Sequence, residues 1–454
     1  MKNTIQTINP YTGKDLKTYS LDSQEEVLSK LKNADKAFIS WKTKSISERT
    51  EYLKNLIRQL DENKATLAKL MTQEMGKPII QSEAEIDKCI FLIEFYIENA
   101  ENFLADAIIN TDAEESFISY DPLGVILAIM PWNYPFWQVF RFAIPTITAG
   151  NTALLKHASN VTGCSIAIQQ LFEGAGFPKG CFTSLITKHE VIENVLSDDR
   201  IKAVSLTGSE KAGKSIAEVA GRHLKKCVLE LGGNNACIIL KDANLNKHMD
   251  TIVNARMQNS GQSCIAAKRF IVEKDIYEDF IKRFIDKISE LKFDNPELTD
   301  TTIGTLARED LAKTLKEQVE DSIKKGAKVL YGNTVKKSYF QPTVIENAQP
   351  GMPVFDEETF GPVAAITKVN NKEEAFKIAA ESRFGLGTMV FTKDVEYATR
   401  KTLEINDGAY FINEMVKSDP RLPFGGTKAS GYGRELSKEG ILEFVNKKTV
   451  YIKK

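Results

Sequence analysis

Cys264 follows Gly261-Gln262-Ser263, Glu230 precedes Leu231-Gly232-Gly233, and Asn133 sits within Pro131-Trp132-Asn133-Tyr134-Pro135. Together they could attack, stabilise and release a carbonyl carbon. A glycine and two polar residues before Cys264 suit a loop or helix start, where a partly exposed sulfur can act as a thiolate nucleophile. The alternative is a small buried hydrophobe, the commoner fate of a cysteine. Asn133 offers an amide that cannot ionise, a donor for charge developing on a carbonyl oxygen. Its alternative is an Asx turn before Pro135. Glu230 ends the apolar run Cys227 to Leu229, and such neighbours raise a carboxyl towards general-base strength, unless it is simply a strand-end charge in solvent. The six cysteines are scattered without a CxxC pair or a cluster with histidine, so neither a zinc site nor a disulfide framework is expected.

Six segments in order along the chain resemble the aldehyde dehydrogenase superfamily. They are Pro131 to Trp137, Leu206-Thr207-Gly208-Ser209, Glu230-Leu231-Gly232-Gly233, Gly261-Gln262-Ser263-Cys264, Glu358-Thr359-Phe360-Gly361-Pro362-Val363 and Pro423-Phe424-Gly425-Gly426-Thr427-Lys428. The resemblance implies that Cys264 is the nucleophile, Asn133 the oxyanion donor beside the backbone N–H of Cys264, and Glu230 the base that activates water. A thiohemiacetal at Cys264 can expel hydride, and the thioester left behind is open to hydrolysis. Gly232 and Gly233 would let backbone approach substrate or cofactor closely.

The expected cofactor is NAD or NADP. No GxGxxG follows the strand ending at Ile186, where Thr187-Lys188-His189-Glu190 stands instead. The resemblance places pyrophosphate at Gly208-Ser209, where a strand gives way to a helix. It puts Lys156 and Glu358 on the two riboses, with Trp132 and Phe360 also around the cofactor. Ser159 stands where NAD-selective relatives carry a glutamate, and a serine does not repel a ribose 2′-phosphate.

For the substrate, Arg141 matches an arginine with which succinate-semialdehyde dehydrogenases bind the substrate carboxylate, a group suited to a guanidinium fork. Phe136, Trp137 and Phe424 would wall the tunnel. The pattern is half present, because Gln258 replaces a second arginine, Arg256 is offset by two, and Ala266 replaces a second cysteine. Succinate semialdehyde leads as substrate, with another small aliphatic aldehyde as the alternative. A cysteine-dependent acyl hydrolase or transferase would need one of His157, His189, His223 or His248 beside Cys264. A non-catalytic protein on the same fold is a third reading, which the presence of Cys264, Asn133 and Glu230 opposes.

The elements that must carry these residues alternate. Capping-box spacings at Ser23 to Glu26 and Ser82 to Glu85 predict helices in the first hundred residues. Short strands at 117–120 and 125–130 flank a turn at Asp121-Pro122-Leu123-Gly124. Beyond them come strands at 152–156, 181–186, 203–206, 236–240, 270–273 and 364–369, with helices at 161–173, 190–196, 211–221 and 276–291 between them. Such alternation predicts βαβ units and a parallel sheet. The expected α/β architecture has two Rossmann-like domains and a small β element. The cofactor domain takes residues 1–115 and 131–230, the catalytic domain 231–412, and the bridging, oligomerising element 116–130 with 435–454.

With 60 Lys and Arg against 61 Asp and Glu in 454 residues, the chain carries no electrostatic footprint for nucleic acid. It shows neither a secretory signal nor an apolar run long enough to span a bilayer. The expectation is a cytoplasmic protein whose partners are a small aldehyde and its own copies, as a homodimer or homotetramer.

Overall fold

The computed structural model describes residues 4–453. Two sheets with helices against them form the body. In the first, the strands run in the order Gly431–Tyr432, Lys226–Glu230, Ile201–Thr207, Val125–Met130, Thr152–His157 and Phe182–Ser184, all parallel except the first. In the second, the order is Lys328–Tyr331, Thr343–Glu346, Val363–Val369, Ala267–Glu273, Asn235–Ile239, Gly387–Phe391 and Ala409–Ile412, parallel except for its first strand. Glu230 ends a strand of the first sheet and Asn133 lies just beyond the carboxyl end of another, where open α/β sheets leave a crevice, whereas Cys264 stands in the loop before Ala267–Glu273 of the second sheet.

The expected bridging element is corrected at one boundary. Glu115–Pro122 does leave the body, pairing antiparallel with Val445–Ile452 and with Ala107–Ile108. Val125–Met130, assigned to the same element, instead lies between Thr152–His157 and Ile201–Thr207 in the first sheet. The reason is burial: nearly every residue of this run is enclosed, so it needs neighbours on both edges and cover on both faces. Gly124, at φ 140°, separates the two strands. The C-terminal strand Val445–Ile452 pairs within its own chain.

The helical first hundred residues need two further corrections. Ser23 and Glu26 form the expected capping box, but Ser82 and Glu85 lie inside the helix Ile79–Leu104 rather than at its start. A real box, Ser45 with Glu48, heads the helix Ile46–Met75. Glu85 is turned inward, where its carboxylate pairs with buried Lys77 and accepts the backbone N–H groups of Phe136 and Trp137 at 2.8 and 2.9 Å. It thus caps a different helix, Trp137–Thr148, and fixes the chain just after Asn133. Glu74 does the same for Gly163 and Cys164, both at 2.9 Å. Each such cap is worth about 0.5–2 kcal/mol to the helix it serves. Before these helices lies a hairpin, Thr4–Ile8 with Asp15–Ser20, not expected from the sequence; Asn9 accepts the N–H groups of Tyr11 and Thr12 at its turn. No helix among the described residues is long and apolar enough to cross a membrane.

Candidate active site

Three cavities join end to end across the crevice. A groove of about 760 Å³ is lined by Lys156, Ser159, His189 and Gly208. Through Trp132, Thr207 and Gly208 it shares walls with a chamber of about 410 Å³ containing Asn133, Glu230, Cys264 and Glu358. The chamber shares Cys264 and Gln138 with a third cavity, about 430 Å³, lined by Trp137, Arg141 and Phe424. Cys264 stands where the second and third meet. Groove and chamber have the size and lining of small-molecule sites, roughly 300–1,000 Å³.

The Cys264 loop is held from several directions. After the helix Leu245–Met257, Asn259, Ser260 and Gly261 take φ values of 54°, 53° and 72°. Only glycine suits the last position, where a Cβ would lie 2.3 Å from the Gly361 carbonyl oxygen. Arg256 is wholly buried and donates to the carbonyls of Gly261 and Gly361, both at 2.6 Å, and of Ala267 at 2.9 Å. The arginine offset from the family pattern therefore latches two loops together and does not line the third cavity. Burial pushes the Cys264 thiol up to about 11, against the pull of Arg141 and Lys268. At neutral pH the group is a thiol, so attack requires loss of its proton.

Asn133 is buried, and its amide nitrogen donates one hydrogen to the Gln262 carbonyl at 3.1 Å, which leaves the second free towards the chamber. Its own carbonyl accepts from the Asn259 amide at 2.7 Å. This is a fixed donor beside the sulfur rather than an Asx turn.

Glu230 ends its strand with both carboxylate oxygens buried and without a hydrogen-bond partner among the described residues. Burial first, and then the negative charge of Glu435, push its carboxyl well above the usual range. The raised pKa expected from its apolar neighbours is present, with a second cause that the local sequence did not show. Glu435 is itself buried, paired with Arg141 and bonded by the Ser205 hydroxyl at 3.3 Å. Its position after Gly433-Arg434 carries no signal of a place beside Glu230.

Glu358 faces the same chamber in another state. It accepts from the Gly233 N–H and from the Lys268 ammonium, both at 3.0 Å. A Cβ on Gly232 would lie 2.3 Å from its carboxylate, and one on Gly233 2.7 Å from the Cys264 carbonyl oxygen. The two glycines thus admit protein groups, in addition to any ligand. Trp132 and Phe360 meet edge to face across the chamber at 5.7 Å.

Along the groove, Lys156 is buried and donates to the His157 carbonyl at 2.7 Å; burial lowers its ammonium to about 8. Ser159 opens a short helical turn on the groove wall. Gly208 and Ser209 precede the helix Glu210–Arg222, whose first turn Ser209 caps through Ala212 N–H at 3.3 Å. A strand end, a helix start and a basic side chain on one wall fit the phosphates and ribose of a dinucleotide.

In the third cavity, Arg141 is buried, with its guanidinium 4.5 Å from the Phe424 ring centroid, ion-paired with Glu435 and 3.3 Å from the Thr207 hydroxyl. Trp137 donates its ring N–H to Ser418 at 3.0 Å. Phe136, expected on the wall, is packed in the core, and Tyr134 takes that place. Gln258 does line this cavity. Lys88 and Ser418, which no motif offered, line it too. None of the four histidines borders either cavity that contains Cys264. His157 is buried between the Met130 and Pro135 carbonyls, with its pKa driven down to about 4 by burial.

Residues 1–450 match the aldehyde dehydrogenase family. The chain is 48% identical over 451 residues, 99% of both chains, to a Synechocystis protein named a probable NADP(+) succinate-semialdehyde dehydrogenase. It is 42% identical over 454 residues, again 99% of each chain, to the Mycobacterium tuberculosis NADP(+) succinate-semialdehyde dehydrogenase 1. Its structure is similar to a crystal structure of succinic semialdehyde dehydrogenase from Streptococcus pyogenes in complex with NADP+, with a TM-score of 0.97 at 34% identity, covering 99% of this chain and 100% of that one.

Proposed function

Since the chain belongs to the aldehyde dehydrogenase family and is an NAD(P)-dependent aldehyde dehydrogenase, we propose that it oxidises succinate semialdehyde to succinate, with NADP preferred. The observation that carries this reading is the place of Cys264 at the junction of two cavities, one continuous with the groove fit for a dinucleotide and one carrying Arg141 and Lys88 on its wall.

The thiol of Cys264 gives up its proton to solvent water and its sulfur bonds the aldehyde carbon, the carbonyl π-pair moving to oxygen. The oxygen that gains charge is met by the free hydrogen of Asn133 and by the Cys264 backbone N–H, donors fixed before the reaction starts. When bound, the nicotinamide supplies the acceptor for the hydride. Lys156 and Glu358 would hold its two riboses, Gly208 with the following helix start would meet the pyrophosphate, and Trp132 and Phe360 would flank the ring. The acyl group then remains as a thioester on Cys264. Glu230, whose oxygens have no competing partner, takes a proton from water, and the hydroxide equivalent releases the acid. Ser159 places a neutral hydroxyl where a carboxylate would repel a 2′-phosphate, and Lys156 adds positive charge to the same wall.

The carboxylate end of the substrate lies in the third cavity. Arg141 lends positive potential there and stacks on Phe424, although its Nε side is engaged by Glu435. Ser418 accepts from both Lys88 and Trp137, so its own hydroxyl hydrogen is left to donate into the cavity. The same reading divides the chain into a cofactor domain, a catalytic domain and a ribbon of 115–122 with 445–452 through which copies associate as a homodimer or homotetramer. It takes the enzyme to be cytoplasmic, where its free thiols stay reduced.

The test is the appearance of reduced nicotinamide with succinate semialdehyde or propanal, each with NADP and with NAD. Higher kcat/KM with the semialdehyde and with NADP is expected. Equal rates with propanal would remove the carboxylate from the substrate, and a preference for NAD would overturn the meaning given to Ser159.

A further inference from the structure

The third cavity is lined by three cations, Arg141, Lys88 and Lys417, and they are not equivalent; Lys417 is paired with Glu414. Arg141 is neutralised by Glu435, a carboxylate buried with it. Lys88, on the helix Ile79–Leu104, has no carboxylate within ion-pair distance among the described residues: its ammonium donates to the Ser418 hydroxyl at 2.8 Å and lies 4.1 Å from the Trp137 ring centroid. Asp419 and Glu85 act on it only at longer range, while Arg141 pushes against it. A cation that is partly buried, faces a second cation and is in direct contact with only a hydroxyl and a ring face, while Glu85 and Asp419 on the same wall are engaged by Lys77 and Arg421, is short of a direct counter-ion. Burial, joined by Arg141, lowers its ammonium to about 8, as expected for a group lacking its counter-ion.

We propose that Lys88 is the counter-ion for the ω-carboxylate of the substrate, so that an aldehyde of this class forms an ion pair with its ammonium. Lys88 and Cys264 line one cavity, which lets a short chain place its aldehyde at the sulfur and its carboxylate at the ammonium. The ring of Trp137 holds the lysine stem in place, and Ser418 adds a neutral donor beside the charge. Arg141 then acts mainly on Glu435 and Phe424, with its field supporting Lys88 at a distance. This rests on the reading that the substrate carries a carboxylate.

The experiment measures kcat/KM for succinate semialdehyde and for butanal, which has the same chain length without the charge, in wild type, Lys88→Met and Lys88→Arg. Lys88→Met is expected to lower the ratio of the two values by roughly 10- to 100-fold, the worth of a hydrogen bond to a charged group, chiefly through KM for the semialdehyde. Lys88→Arg should restore much of the ratio. NADP binding followed by protein fluorescence reports whether each variant is folded. If wild type prefers the semialdehyde and Lys88→Met keeps that preference, the role of Lys88 is overturned while the substrate stands. If wild type treats the two aldehydes alike, both fall.

Discussion

Two carboxylates face one chamber and are built for opposite duties. Glu358 is held at one oxygen, Oε1, by a lysine and a backbone N–H at 3.0 Å each. Glu230 has no hydrogen-bond partner among the described residues and a second carboxylate nearby, and its pKa is driven up. On the proposed reading the same functional group serves as an acceptor in one case and a proton carrier in the other, because Glu358 has donors beside it and Glu230 has a buried, apolar setting with a carboxylate nearby. Both surround Cys264, whose thiol is likewise raised by burial.

The largest effect should come from removing the sulfur that both carboxylates serve. Cys264→Ala is expected to lower kcat by on the order of 10⁴-fold or more, read as loss of reduced nicotinamide while NADP still binds. Asn133→Ala should cost roughly 10²- to 10³-fold in kcat with little change in cofactor affinity, the worth of an oxyanion donor. Activity of either variant near wild type would remove that residue from the chemistry.

The contrast between the carboxylates is broken most directly by the same change at each. Glu230→Gln should cut steady turnover by roughly 10²- to 10⁴-fold while a first equivalent of reduced nicotinamide still forms rapidly. Glu358→Gln should instead raise KM for the cofactor by roughly 10- to 100-fold, with no burst left behind by a stalled thioester. Matching phenotypes would erase the distinction.

The smallest change sharpens it through pH. A base must be unprotonated to act, so the hydrolytic rate should fall as pH drops through the raised pKa of Glu230. Glu435→Gln removes a negative charge that raises that pKa and frees Arg141, which lowers it. The acidic limb of kcat should therefore move to lower pH in this variant. A limb that stays, or moves upward, would show that Glu435 does not set the proton affinity of Glu230.

How much could be read beforehand divides along sequence distance. Cys264, Asn133, Glu230 and Glu358 sit in motifs whose local chemistry announces them, and the structure gathers all four in one chamber. Lys88 and Ser418 meet across 330 residues, and Glu435 reaches Arg141 from the far end of the chain. Long-range pairs of that kind leave no local period or spacing to read. The alternation of strands and helices gave the two sheets, but Ser82 and Glu85 imitated a capping box within a continuing helix because Glu85 serves a different helix. Val125–Met130 was separated from its sheet because a turn before a strand looks the same whether the chain stays in one sheet or changes to another.

The central claim is that the acyl group passes through Cys264 and leaves by way of Glu230. It is tested most directly by mixing Glu230→Gln enzyme with succinate semialdehyde and NADP, quenching in acid, and mapping the modified peptide by mass spectrometry. The account expects a succinyl group on Cys264 in proportion to the reduced nicotinamide formed. Reduced nicotinamide without any adduct at Cys264, or an adduct on another residue, would contradict it.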